Sequence, residues 1–256
     1  MAVITFTSDF GWRDHYVAAV KARILAFNQN IRIIDITHEI EPHNITQTSY
    51  ILKNVFRDFP IGTVHLVGVN SWDNRDDNKL IAMRLEEHYF VGFDNGIFSL
   101  VSTKKPMVIC ELNYDKTNLG TFAEKTIMAN AAAQLATGAS VYDLGKQVMS
   151  IKQLLLSTAF KSNNEIIGQV IHVDNYGNII SNINLKEMEL EVSLSEASVM
   201  LGRHHVSNFS NFIAPSHGDS LAFVNNNNHI CVGIKCGNAS KLLGVKVGHE
   251  MKLILR

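Results

Sequence analysis

The sequence is short of cysteine and has no excess of charge of either sign. Its three cysteines are too few, and odd in number, for a disulfide framework, which favours free thiols in a reducing cytoplasm. A formal net charge of −1 gives no basic surface for nucleic acid. No apolar run is long enough to span a bilayer, and no charged region precedes the first apolar run. We therefore expect a cytoplasmic protein without a nucleic-acid or membrane partner.

The order of apolar patterns changes between the two halves of the chain. Up to about residue 150, β-type runs alternate with helical spacings over Tyr16 to Phe27, Ile45 to Phe59 and Lys125 to Ala136. After residue 165 come short β-type runs separated by Gly and Asn. This pattern predicts an α/β N-terminal domain (1–150) with a largely parallel central sheet. A connecting segment (151–164) would lead to a β-rich, barrel-like C-terminal domain (165–256).

Polar residues follow several predicted strands of the first half, where ligands bind in α/β sheets. Asp9 and Gly11 follow the first strand, and His38 follows the second. Asp94 and Asn95 follow a later one. A helix cap or a turn is the structural alternative for Asp9 and Asp94.

The stretch V-N-S-W-D-N-R-D-D-N, residues 69–78, follows a buried strand and raises a question of its own. It is open to three interpretations: a metal cage, a catalytic loop or a solvated turn. Its three aspartates do not follow the calcium-loop pattern D-x-[DN]-x-[DN]-G, and no metal site is predicted. The adjacent His204 and His205 would point to opposite faces of a strand, which argues against a metal site there as well. A G-x-S-x-G nucleophile motif is absent from the sequence.

Six motifs, in order along nearly the whole chain, resemble the S-adenosyl-L-methionine hydroxide adenosyltransferases, relatives of the fluorinases and chlorinases. The first is T-S-D-F-G-W-R-D-H-Y-V, residues 7–17, which is similar to the family's T-D-F-G-x-x-D-x-Y-V. The others are D-I-T-H-E-I (35–40), F-P-I-G-T-V-H (59–65), Y-F-V-G-F-D-N-G (89–96), V-D-N-Y-G-N-I-I-S-N-I (173–183) and G-N-A (237–239).

The resemblance implies S-adenosyl-L-methionine as ligand or substrate, with no separate cofactor. It also implies a homotrimer with nucleoside sites at subunit interfaces. Asp9 would hold the ribose hydroxyls, and Asp174 and Asn178 the methionine end or the purine rim. The full predicted binding set is Asp9, Phe10, Asp14, Trp72, Asp94, Asn95, Asp174, Tyr176, Asn178, Asn182, Asn238 and Ala239.

The chain departs from the family where the attacking water is thought to be positioned. The family's Asp falls on Asn70, its arginine pair falls near Asp77 and Asn78, and its His falls on Ala123. An asparagine can hydrogen-bond a water but cannot take its proton at neutral pH. The candidate catalytic residues are therefore Asn70 for the water, Asp73 or Glu124 as a replacement base, and Arg75 for the missing arginine.

Three functions follow from this comparison. The first is a divergent hydrolase that forms adenosine and L-methionine, and the second is an adenosyl-ligand binding protein without turnover. The third is an enzyme with another nucleophile or another nucleoside. A halide nucleophile is disfavoured because Asp73 and Glu124 would repel an anion.

Overall fold

A computed structural model describes residues 2–71, 79–115, 120–191, 196–209 and 216–255. The chain forms two compact units, Met1–Leu155 and Leu156–Arg256. The boundary falls inside the segment 151–164, which the sequence predicts as the connection. Each unit has a hydrophobic core of its own. No helix in the described ranges is long and apolar enough to cross a membrane.

Unit 1 alternates strands and helices, as its sequence pattern predicts. Its elements are β1 (Val3–Ser8), α1 (Tyr16–Phe27), β2 (Arg32–Thr37), α2 (Ile45–Lys53), β3 (Val64–Gly68), β4 (Leu80–Leu85), β5 (His88–Phe93), α3 (Ile97–Val101), β6 (Val108–Leu112), α4 (Ala129–Ala136) and β7 (Gly145–Gln147).

Two helices are less regular than the sequence predicts. The helix expected over Ile45 to Phe59 ends at Lys53 and is followed by a 3-10 turn, Phe56–Asp58. The break lets Phe56 turn inward, where its ring contacts His65, His88 and Phe90. The helix expected from Lys125 begins one residue earlier, as a π-helical turn (Glu124–Met128) that continues into α4.

The sheet of unit 1 is mixed and mostly parallel, which confirms the predicted α/β class. Among the described residues its order is β2-β1-β3-β5-β4-β6-β7. Strands β2, β1, β3 and β5 are mutually parallel, and β6 shares their direction because it is antiparallel to β4, which is antiparallel to β5. Five of the seven strands therefore run the same way.

Side chains that alternate along the strands fill a separate core on each face of this sheet. Helices α1 and α4 cover one face, where Phe6 of β1 and Leu66 of β3 are buried. Helices α2 and α3 cover the other, where Val67 is buried. After β1 the chain crosses one face of the sheet through α1, and after β2 it crosses the other face through α2. The crevice between the carboxyl ends of β1 and β3 is thus the topological switch point, where ligands bind in such sheets.

Unit 2 is an antiparallel, barrel-like sheet, which confirms the prediction for the second half. Its elements are β8 (Phe160–Ser162), β9 (Glu165–Val173), β10 (Ile179–Asn184), β11 (Ser198–Leu201), β12 (His204–Val206), β13 (Ser220–Val224), β14 (His229–Ile234), α5 (Ala239–Leu243) and β15 (Glu250–Ile254). The strand order is β12-β11-β15-β9-β10-β14-β13, with β8 on β9. The segment after β12 comes back to β13, where the N–H of Ala222 donates to the carbonyl of Asn208. The sheet therefore nearly closes.

Candidate functional site

The carboxylate of Asp9 stands at the switch point of the unit 1 sheet. Asp9 follows β1 directly, and its own N–H points to the carbonyl of Gly68 at the end of β3. Its Oδ2 accepts the backbone N–H of Asn70 at 3.1 Å and that of His43 at 3.0 Å. Both bonds use the same oxygen, so Oδ1 lies outside this pair. A carboxylate held in this way can accept two vicinal hydroxyls of a ribose.

His43 and Asn70 complete a closed set of contacts around Asp9. The Nδ1 of His43 lies 3.1 Å from the Oδ1 of Asn70. Both residues have left-handed backbones, with φ of +67° and +54°. Such angles are uncommon outside glycine, although His and Asn adopt them more readily than most residues, and they cluster at functional sites. Asn70, predicted as a water-binding residue, is therefore fixed through its backbone and its side chain.

A buried carboxylate lies next to this group. Glu124 is 3% exposed, and its Oε1 accepts the hydroxyl of Ser71, the neighbour of Asn70. A β-carbon added to Gly68 would lie 3.1 Å from the Cγ of Glu124, a tight contact that would require the Glu124 side chain to shift. Glu124 also starts the helical stretch before α4, where the helix dipole favours a negative charge. Ala123 is buried in the core and offers no polar group.

Behind Asp9 lies a buried row of polar side chains. The hydroxyl of Ser8 is 2.6 Å from the Nδ1 of His38, and the Nε2 of His38 is 3.2 Å from Asp35, although without good hydrogen-bond geometry. Lys21 pairs with Asp35 at 2.5 Å. Burial lowers the pKa of His38, and Asp35 partly opposes that effect. The row supports the end of β1, and its inner members Ser8 and His38 are fully buried and out of reach of a ligand.

Aromatic rings surround the loop that carries Asp9. The ring of Phe10 packs against Tyr16 and Phe122 at 5.9 and 5.8 Å between centroids. Its Cζ is also 3.4 Å from where a β-carbon on Gly68 would be. Asp14 lies in the exposed part of the same loop. The structure therefore brings Asp9, Phe10, Asn70 and Glu124 together around Gly68.

The two predicted residues after β5 have different environments. Asn95 is 3% exposed and donates from Nδ2 to the carbonyl of Val69, at the end of β3. It therefore supports the backbone that leads into Asn70. Asp94 instead accepts the N–H of Lys152 at 2.8 Å, and burial raises its pKa.

In unit 2, most of the predicted binding residues lie in or beside one turn between β9 and β10. The carboxylate of Asp174 accepts the backbone N–H of Tyr176 and of Asn178, and the side-chain amide of Asn178. Gly177 has φ of +85°, and a β-carbon there would lie within 2.4 Å of three atoms of Asn238. The turn is thus built on these residues. Its Tyr176 ring is 78% exposed.

A cavity of about 620 Å³ adjoins this turn and is lined by Tyr176, Asn178, Ile234, Cys236, Gly237 and Asn238. Its volume falls in the range of small-molecule pockets. Ala239 is fully buried, and Asn182 uses its amide to hold Gln169 N–H and the carbonyl of Ser157. A larger cavity of about 900 Å³, near β11, β12 and β15, contains none of the predicted residues.

Three predicted residues, Trp72, Asp73 and Arg75, lie outside the described residues, so their roles stay predictions. Within the described ranges, no cluster of three or more His, Cys, Asp or Glu side chains is placed to hold a metal ion. The sequence reasoning did not select His43 and Ser71. A histidine or serine in a loop carries no signal by itself. The pairing of β1 with β2 brings His43 to the site, and the pairing of β1 with β3 brings Ser71 there.

Comparison with known proteins agrees with this arrangement. Residues 4–145 match the model of the SAM hydroxide adenosyltransferase N-terminal domain, and residues 168–252 match that of its C-terminal domain. The (R)-S-adenosyl-L-methionine hydrolase of Methanocaldococcus jannaschii is 30% identical, with 98% of this chain and 95% of that protein covered. The hydrolase of the same name from Thermus thermophilus is 26% identical, with 99% and 100% covered.

More distant and structural relatives point the same way. A fluorinase of Actinopolyspora mzabensis is 34% identical over 62 residues, 24% of this chain and 21% of that enzyme. A crystal structure of an uncharacterized conserved protein from Thermotoga maritima has a TM-score of 0.88 and 30% identity, covering 98% of this chain and 99% of that one. Two domain models, matched in order over most of the sequence, show that this chain belongs to the SAM hydroxide adenosyltransferase family.

Proposed function

We propose that this protein binds S-adenosyl-L-methionine and hydrolyses it to adenosine and L-methionine. The observation that carries the proposal is the buried carboxylate of Glu124. It accepts the hydroxyl of Ser71, the residue after Asn70, and the backbone N–H of Asn70 donates to Asp9 at the switch point. Relatives over nearly the full length are named as hydrolases of this compound. Asp9 would bind the ribose hydroxyls through Oδ1, the oxygen not used by the two backbone amides.

The reaction needs a positioned water and an acceptor for its proton. The water oxygen forms a bond to ribose C5′ while the C5′–S bond breaks, and its electron pair remains on the neutral thioether of methionine. The sulfonium is already a good leaving group, so no acid is required. Alignment of the water supplies much of the catalysis. Glu124 accepts the proton lost by the water.

The negative charge of Glu124 also disfavours an anionic nucleophile. Its carboxylate is buried beside the site, where charge repulsion is screened less than in water. A halide would be repelled, whereas the cationic sulfonium would be attracted. The described residues therefore give no support to a halide as the nucleophile of the third function.

A second candidate is an adenosyl-ligand binding protein without turnover. It is favoured by three positions at which this chain lacks the residues that the resemblance assigns to water handling, where Asn70, Asp77 with Asn78, and Ala123 replace the family's Asp, Arg pair and His. Asn70 cannot take a proton, and Ala123 is a buried methyl group in the core. Under this candidate, the Asp9 and Asp174 regions bind ligand while Glu124 is a structural partner of Ser71.

A chromatographic assay separates the two candidates. The protein is incubated with S-adenosyl-L-methionine without added halide, and the amounts of adenosine and methionine formed are measured. Hydrolysis should form the two in equal amounts. The hydrolase proposal predicts adenosine above the uncatalysed background. It further predicts that Glu124→Gln lowers kcat by about 10²-fold or more while the Kd measured by calorimetry stays nearly unchanged. Glu87→Gln, in the exposed β4–β5 hairpin, is the matched control.

Tight binding with no adenosine would establish the second candidate. Turnover that Glu124→Gln leaves intact would retain the hydrolase and remove Glu124 as its base. Neither binding nor turnover would contradict both.

A further inference from the structure

The replacement of the family's aspartate by Asn70 creates a problem of orientation. Both oxygens of a carboxylate accept hydrogen bonds, so turning an aspartate over changes nothing. An amide has an accepting oxygen at one end and a donating nitrogen at the other. Something near Asn70 must therefore select which end faces the water.

The contact that makes this selection is with His43. Its Nδ1 lies 3.1 Å from the Oδ1 of Asn70, while the two backbones are joined through Asp9 Oδ2. The His43 side chain is itself exposed, whereas Asn70 is 4% exposed. The imidazole thus reaches from the rim of the site to one end of a buried amide.

We propose that His43 is a positioning residue for the hydrolysis proposed above, in which Nδ1–H donates to Asn70 Oδ1 and turns the Asn70 NH2 group toward the nucleophilic water. In this orientation the amide donates to a lone pair of the water. The water's own protons are then left to an acceptor, the role proposed for Glu124. Asn70 as donor and Glu124 as acceptor thus position the water together, a task that the resemblance assigns to an Asp, an Arg and a His in the family.

The backbone explains why the contact is reliable. Both His43 and Asn70 have positive φ, and both N–H groups converge on one oxygen of Asp9. Neither residue can change its backbone without losing a bond to that carboxylate. Asp9 therefore fixes the two backbones relative to one another, and the contact between the two side chains depends only on their rotamers.

Three substitutions separate the side-chain bond from the backbone turn. His43→Gly accepts φ of +67° without strain but has no side chain. His43→Asn also tolerates positive φ and places an amide nitrogen close to the position of Nδ1. His43→Gln places its amide close to the position of Nε2 instead.

We expect His43→Gly to lower kcat about tenfold, the factor expected for one lost hydrogen bond, with the Kd for S-adenosyl-L-methionine changed less than twofold. His43→Asn should recover most of kcat, and His43→Gln should not. Wild-type kcat in His43→Gly would overturn the proposal, because the residue would then serve the turn alone. Equal kcat for the Asn and Gln variants would overturn it as well.

A measurement without ligand distinguishes failure of this inference from failure of the proposed function. Long-range ¹H–¹⁵N correlation spectra of the full-length protein should show a protonated Nδ1 on His43, with His43→Gly used for assignment. A neutral imidazole protonated at Nε2 alone would overturn the inference even if the enzyme turns over substrate. A protonated Nδ1 in a protein without turnover would retain the Asn70 orientation and reject hydrolysis.

Discussion

Acidification from pH 7 to pH 5 should destabilise unit 1 through the buried His65. This residue is fully buried, and burial together with the neighbouring His88 lowers its pKa to about 3. Its Nδ1 bonds to Thr5 at 2.7 Å, and its Nε2 is 3.3 Å from the Nδ1 of His88. A proton therefore binds the unfolded chain much more readily than the folded one.

The magnitude follows from linkage. An unfolded histidine has a pKa of about 6.5, so the contribution of His65 to stability is complete well above that value and is lost as the pH falls below it. Between pH 7 and pH 5 the loss from this one group is about 2 kcal/mol. The figure is set by the unfolded pKa, because the folded pKa already lies far below 5. Burial lowers the pKa of His88 too, which adds to the loss.

Urea unfolding followed by tryptophan fluorescence provides the assay, since Trp12 belongs to unit 1 and the sequence of unit 2 contains no tryptophan. His65→Gln keeps an amide close to the position of Nε2, which faces His88, but cannot titrate, and its free energy of unfolding should change about 2 kcal/mol less between the two pH values. His217→Asn, an exposed histidine of unit 2, is the control and should behave as wild type. An equal pH dependence in wild type and His65→Gln would refute the reasoning.

Four other outcomes are expected. Asn70→Asp should lower kcat, because a carboxylate has no N–H to donate to the water and adds a second negative charge near the buried Glu124; an unchanged or higher kcat in the adenosine assay would contradict the donor role. Gly68→Ala, with its β-carbon 3.1 Å from Glu124 Cγ, should lower kcat while leaving the melting temperature nearly unchanged. A lower melting temperature with wild-type kcat would count against the placement of Glu124. Gly177→Ala should cost unit 2 at least about 1 kcal/mol through its positive φ alone, measured by calorimetry of the full chain, where a wild-type transition would oppose this reading of the turn. Light scattering should give a homotrimer of about three times 28.5 kDa, and the mass of one chain would exclude that assembly.

The class of each domain was predictable from sequence because it depends on periodicity. Alternating apolar residues and helical spacings extend over many positions, so errors at single residues do not matter. The order of the strands was not predictable in the same way. The insertion of β4 between β5 and β6 depends on which edges pair, and no local pattern of residues encodes it.

The candidate site was predictable only in part, for a related physical reason. Asp9 and Asn70 follow strands, and the general rule for parallel sheets brings such residues together. The roles of their partners depend on distances that sequence does not contain. Asp174 illustrates this, because all of its described bonds fold its own turn. Its role toward a ligand stays a prediction.

The double use of Asp9 has a consequence for how this protein can change. One oxygen joins the loops of His43 and Asn70, and the other is proposed to meet the ribose. A library randomised at position 9 would therefore lose most members to misassembled loops before any ligand is offered. Altered nucleoside preference should be sought instead at a position whose side chain holds no backbone group, such as the exposed Tyr176, which the resemblance predicts to bind the ligand. There a new contact can be selected without rebuilding the scaffold that presents it.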